Sequence, residues 1–171
     1  PHAGHRLVRG TLLRYPIQSN RDSTQTRPSL VWFRDDLRIT DNPALTAAAQ
    51  RGAPVVAVYI LDEESDGIRP LGAATRWWLH HSLDRLRANL EHLGMPLVLR
   101  RGAALPIVTE LATAIGADFV SWNRRYGGAE VAMDKAVKAA LAEAGIAAES
   151  FAANLLYEPW TLKPATGPYY K

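Results

Sequence analysis

The sequence predicts an α/β fold: a five-stranded, doubly wound parallel sheet in the order 3-2-1-4-5, Rossmann-like, with helices on both faces. Three observations predict it. Short apolar runs rich in strand formers alternate with longer segments of helical period, the pattern that gives parallel strands and right-handed crossovers. One run, PVVAVYIL at Pro54–Leu61, is continuously apolar and largely β-branched, as suits a central strand covered on both faces. Charged or polar loops at Arg34–Arg38, Asp62–Glu64 and Asn123–Gly128 then fall together on the carboxyl edge of the sheet, near its switch point, where ligands of such sheets sit.

The elements follow in order. Leu30–Phe33 is a buried opening strand, and Asp41-Asn42-Pro43 supplies a side-chain cap and a proline for a helix over Pro43–Arg51, stopped by Gly52. After the strand at Pro54–Leu61, Ser65–Leu71 is a loop holding Gly67 and Pro70. Gly72–Leu93 is the longest helix, with Trp78, Leu79, Leu83, Leu86, Leu90 and Leu93 at helical spacing and Gly94 at its end. Pro96–Leu99 is a short strand, Leu105–Ile115 a helix, and Asp118–Trp122 a strand. Glu130–Ala144 is a helix ended by Gly145, and Ile146–Phe151 a weaker strand. Residues 154–171, with three prolines and three tyrosines, read as irregular.

A chain of 171 residues suits one domain with a real core, and no apolar run approaches the roughly 20 residues of a membrane span. It has no cysteine, which excludes disulfides, thiol catalysis and cysteine-ligated zinc and is compatible with a reducing compartment. The net charge of +3 is unevenly placed: residues 1–28 hold five arginines against Asp22, so residues 29–171 come to −1. The body therefore has no bulk electrostatic footprint for nucleic acid. Residues 1–28 read as a flexible arm, with a basic nucleic-acid arm or an Arg-rich targeting peptide as alternatives.

No glycine lies between Arg34 and Asn42, and neither a G-x-G-x-x-G nor a P-loop pattern is present, so phosphate cradling by backbone amides is not expected. There is no G-x-S-x-G elbow. His80 and His81 are adjacent on a helix and point to different faces, so no metal site is expected, and Trp77 with Trp78 reads as one core and one boundary residue of a long helix. The three loops offer donors and acceptors for a flat heteroaromatic ligand, with no nucleophile–base pair and no acid–base dyad. Residue chemistry alone thus describes a binding domain with no catalytic residues.

The stretch Val31–Leu45, VWFRDDLRITDNPAL, resembles the opening signature of the photolyase/cryptochrome family. Gly72–Leu83, Val120–Glu130 and Tyr157–Lys171 resemble the same family, so the likeness covers Ser29 to Lys171. It implies an N-terminal α/β antenna domain over residues 29–153, with 154–171 opening the linker to a helical FAD-binding domain that the chain stops short of. In that family the α/β domain holds a light-harvesting antenna: methenyltetrahydrofolate, a deazaflavin or a flavin. The helical domain holds FAD against ultraviolet-damaged DNA, and the reduced flavin splits pyrimidine dimers. Carried over by position, Arg34 and Asp35 belong to the first antenna-facing loop, Asp62 to the second, Arg76 to the long helix beside the cleft, and Asn123, Arg125, Tyr126 and Glu130 to the third group. Glu130 stands where folate-binding members use a carboxylate to accept from the pterin ring. Gly127-Gly128 replaces the family's usual Glu-Pro, which removes an acidic contact and frees the loop. The implied role is the antenna domain of a cytoplasmic photolyase. The alternatives are a cryptochrome-type photoreceptor or, from another class, a nucleotide-binding protein of the electron-transfer flavoprotein or universal stress type.

Overall fold

A computed structural model describes residues 26–161. The strands are β1 (Ser29–Phe33), β2 (Val55–Leu61), β3 (Leu97–Arg101), β4 (Phe119–Asn123) and β5 (Ala147–Phe151). The helices are α1 (Pro43–Gln50), α2 (Ala73–His92), α3 (Ala104–Ala114) and α4 (Gly128–Glu143), and a short 3-10 turn follows at Pro159–Thr161. The strands form one parallel sheet in the order β3-β2-β1-β4-β5, the expected topology. Register follows the apolar runs: Trp32 of β1 lies beside Val58 of β2 on one side and Trp122 of β4 on the other.

Period-two alternation along the strands sorts the core into two layers. Leu30, Trp32, Val58, Ile60, Val120 and Trp122 face α3 and α4, where Val108, Val137 and Leu141 complete the layer. Val31, Phe33, Ala57, Tyr59 and Phe119 face α1 and α2 and meet Ala44, Ala48, Leu86 and Leu90. β1, central in the sheet, is buried along its whole length.

Local chemistry explains the ends. Asn42 caps α1, its side-chain oxygen accepting from the Leu45 amide at 3.1 Å, with Pro43 at the first helical position. Asp41, the other acceptor of that triplet, instead takes a positive φ of 51°.

The structure corrects three readings. Trp77 and Trp78 are both exposed, at 59% and 67%, instead of one being core. On α2 only Leu86 and Leu90 are buried, while Leu93 is exposed. Helical spacing defines a stripe but not how deeply it is covered: Leu79 and Leu83 pack on the core only in part, beside the fully buried Leu86 and Leu90. β3 runs to Arg101 because its backbone pairs with Ile60 and Leu61, a ladder that accepts the two exposed arginines. The arm expected over residues 1–28 lies outside the described residues up to residue 25. Arg27 donates to the carbonyls of Gly116 and Ala117, and Pro28 accepts from the Asp118 amide. The linker start expected over 154–171 lies outside the described residues beyond 161. Within 154–161, Glu158 accepts from Arg124 at 2.7 Å and from the Tyr126 hydroxyl at 2.9 Å, which fastens the segment to the end of β4.

Candidate functional site

A cleft of about 500 Å³ opens at the carboxyl edge of the sheet. Its floor is the ends of β1 and β2, with Trp32, Tyr59 and Ile60. One wall is the loop from Asp62 to Leu71 with the start of α2, which presents Trp78 and Leu79. The opposite wall is Arg125 with Glu130 and Met133 of α4. The strand order reverses between β1 and β4, and the connections leaving these two parallel strands diverge to leave this gap, as in other doubly wound sheets.

Of the eight residues expected to contact a cofactor, Arg34, Asp35, Asp62, Arg125 and Glu130 line the cleft, and Arg76, Asn123 and Tyr126 do not. Most of them are engaged in holding the scaffold. Arg34 is 6% exposed and forms a bidentate pair with Asp134 of α4, at 2.7 and 3.2 Å, while also donating to the Asn123 carbonyl. Burial pushes its guanidinium pKa down, against the pull of Asp134. Asn123 donates from its side-chain amide to Asp36 and Asn42 and accepts from the Ala44 amide, so it joins three segments beneath the cleft. Burial raises the Asp36 carboxyl above the usual carboxylate range, opposed by Arg38 and by the Asn123 bond. Asp62 accepts from the amides of Glu64, Ser65 and Ala104 and from the Ser65 hydroxyl, the last at 2.6 Å. Burial works to raise its pKa, but these four bonds outweigh it and hold the carboxyl below its ordinary value. Arg125 pairs with Asp35, its Nε donating at 2.8 Å. Arg76 reaches back to Glu63 at 2.6 Å, outside the cleft lining.

Glu130 differs from these. It makes no hydrogen bond or ion pair among the described residues, and its carboxylate folds back over Gly127, where a Cβ would collide with it. Gly127 has an ordinary φ of −68°. Gly127 therefore serves by its absent side chain, not by extra backbone freedom, while Gly128 faces open space. Gly67 is the second close approach: its φ is +73° and a Cβ there would stand 2.9 Å from the Cβ of Ala129, so the loop wall is seated on the first turn of α4.

Sequence reasoning missed Tyr59, Arg69 and Asp134. Tyr59 is 7% exposed, lines the floor, and has no hydrogen-bond partner among the described residues. Burial raises its phenol pKa, with the nearby carboxylates Asp35 and Glu63 adding to that and Arg125 opposing, so it stays a neutral donor. Trp32 Nε1 and Arg34 Nε are also buried without a partner among the described residues, and both residues line the cleft. A floor with unmatched donors suits a ligand that carries acceptors. The available signal for Tyr59 was a polar-tipped side chain two residues from the end of a strand at the switch point. Asp134 gave none, because one acid on a charged helix reads as solvated. Among the described residues there is no cluster of three metal-ligating side chains, and no helix is long and apolar enough to cross a membrane.

The fold is that of a doubly wound α/β domain with an open cleft at its switch point. The sequence model of the family described as DNA photolyase matches residues 29–171, and this chain belongs to that family. It is 48% identical over 149 residues to the deoxyribodipyrimidine photo-lyase of Agrobacterium fabrum, covering 87% of this chain and 30% of that protein. It is 39% identical over 140 residues to cryptochrome-1 of Arabidopsis thaliana, covering 81% of this chain and 20% of that protein. The crystal structure of a bacterial class III photolyase from Agrobacterium tumefaciens superposes with a TM-score of 0.80 at 46% identity, over 89% of this chain and 31% of that one. The chain thus spans less than a third of the length of these relatives.

Proposed function

We propose that this chain is the antenna-binding α/β domain of a deoxyribodipyrimidine photolyase. The observation that carries the reading is the 500 Å³ cleft at the switch point, with aromatic walls, unmatched donors on its floor and one free carboxylate, in a chain of the photolyase family. A methenyltetrahydrofolate, deazaflavin or flavin ring would be held between Tyr59, Trp78 and Glu130. Bound there, the antenna supplies absorption of near-ultraviolet or blue light. The residues' part is to orient the ring and exclude water, for the cleft has no nucleophile paired with a base. Dimer splitting in ultraviolet-damaged DNA would belong to FAD in a helical domain of the same cytoplasmic protein, with this domain passing energy to it.

The test uses the whole protein that carries this domain, purified in the dark. Absorption spectra before and after denaturation should reveal FAD and a second, near-ultraviolet or blue chromophore. Illumination should then remove pyrimidine dimers from damaged DNA, while the 171-residue chain mixed with reduced FAD should remove no more than a flavin-only control. Dimer loss from the chain alone would overturn the antenna assignment. Cryptochrome likeness at 39% identity favours a second reading, a blue-light photoreceptor, and failure of the whole protein to remove dimers would select it.

A further inference from the structure

We propose that Arg69 reads an anionic arm on the ligand of this cleft, so that the site prefers a heteroaromatic ring bearing a carboxylate or phosphate tail over the same ring without one. The inference rests on the antenna reading and adds the ligand's charge to it. Six charged side chains line the cleft: Arg34, Asp35, Asp62, Arg69, Arg125 and Glu130. Four of them are engaged within the protein, three in ion pairs and Asp62 by hydrogen bonds from uncharged donors. Arg34 is paired with Asp134, Arg125 with Asp35, and Asp62 is saturated by four donors. Glu130 and Arg69 alone have neither a hydrogen bond nor an ion pair among the described residues, and Glu130 lies back against Gly127. Among the described residues Arg69 is therefore the one arginine of the cleft lining with no protein acceptor.

Its loop is held in place. Gly67, two residues before it, packs on Ala129, and Asp62 ties the start of the loop to the amide of Ala104 at the head of α3. The loop's other charges do not cancel Arg69 inside the cleft. Glu63 is occupied by Arg76 and Arg101, Glu64 approaches Gly102, and Glu64 and Asp66 are absent from the lining. An exposed ion pair on an open surface is worth little. Arg69 is itself exposed, but it shares the cleft lining with Ile68, Leu71 and Leu79, and its planar guanidinium suits a bidentate bond to carboxylate or phosphate. The ring would occupy the aromatic floor while its tail reaches the rim.

The experiment compares ligands that share a ring and differ in the tail. The whole protein that carries this domain, freed of its antenna, is titrated with methenyltetrahydrofolate against a pterin lacking the glutamate tail, and with flavin mononucleotide against riboflavin. The tailed member of the preferred pair should bind about tenfold tighter, and which pair shows the gap distinguishes a carboxylate from a phosphate source. Arg69→Gln should close the gap to within about twofold without moving the tailless member, and Arg69→Lys should restore part of it. The Arg69 side chain is exposed and makes no hydrogen bond or ion pair among the described residues, so both variants should melt with the parent. An unchanged gap in Arg69→Gln, or equal weakening of both members, overturns this inference and leaves the antenna reading standing. Equal binding of tailed and tailless rings by the parent does the same. No binding of any of the four overturns both.

Discussion

Arg34 illustrates how a strand-end charge can belong to the core instead of to a ligand. Its pair with Asp134 is buried on both sides, and Trp122 Nε1 donates to the same carboxylate at 2.9 Å. Asp134→Asn keeps the shape and leaves Arg34 uncompensated, so it should cost about 3–5 kcal/mol in urea unfolding. Asp35→Asn removes the partner of Arg125 on a carboxylate that is 62% exposed and should cost under about 1 kcal/mol. A similar loss for the two would mean that water reaches Arg34. Glu130→Gln should leave stability unchanged and weaken a folate antenna by about 1–3 kcal/mol, read from antenna absorbance in the whole protein. These roles were only partly legible in the sequence. The charges of Arg34–Arg38 mark a strand end, yet spacing does not tell which of them finds a partner a hundred residues away. Tyr59 was hidden because an apolar run absorbs it into the core.

Among elements, the loop between β2 and α2 is the one on which the cleft depends. Gly67→Ala meets Ala129 and adopts an unfavourable φ, whereas Gly52→Ala, at φ +67° with nothing nearby, suffers only the backbone strain. Gly52→Ala should therefore cost about 1 kcal/mol, and Gly67→Ala about 1 kcal/mol more together with weaker antenna binding. Equal costs in urea unfolding would show that the loop does not rest on α4 in solution. Strand positions and the α1 cap were readable because their causes are local: β-branched runs and an Asn-Pro pair. The exposure of Trp77 and Trp78 was not, since helical spacing does not tell which neighbours on a stripe meet the core.

At the scale of the whole molecule, titrating groups bound the range of stability. Asp62 and Glu63 are held below the usual carboxylate range, Asp62 by the bonds that outweigh its burial and Glu63 by Arg76. Their stabilisation is complete above the unfolded value of about 4 and is lost as pH falls through the folded one. Asp36 has the opposite sign: its raised carboxyl favours the fold below about pH 4, and that contribution is lost as pH rises through its folded value. Tyr59 and Tyr126 are raised by burial, so their contribution is complete below about pH 10 and is lost as pH rises through the folded phenol values. The urea midpoint should be level between about pH 6 and 9 and fall on both sides. A midpoint still level at about pH 3 would show that the Asp62 bonds do not persist. Topology was fully legible at this scale, because alternating strands and helices admit few parallel windings. The cleft's walls were less so, for they come from loops whose contacts are long-range.

The five tryptophans fall into two optical populations. Trp77, Trp78 and Trp160 are open to solvent, so iodide should quench them and their emission should lie to the red. Trp32 and Trp122 are buried, with ring centroids 5.8 Å apart, and should emit to the blue, beyond the quencher's reach. Trp32 also lines the cleft, and indole emission overlaps the near-ultraviolet absorption of pterin and flavin rings. Excitation of the protected pair would drain into any such ring seated there, so occupancy can be followed by the loss of blue emission with no added label.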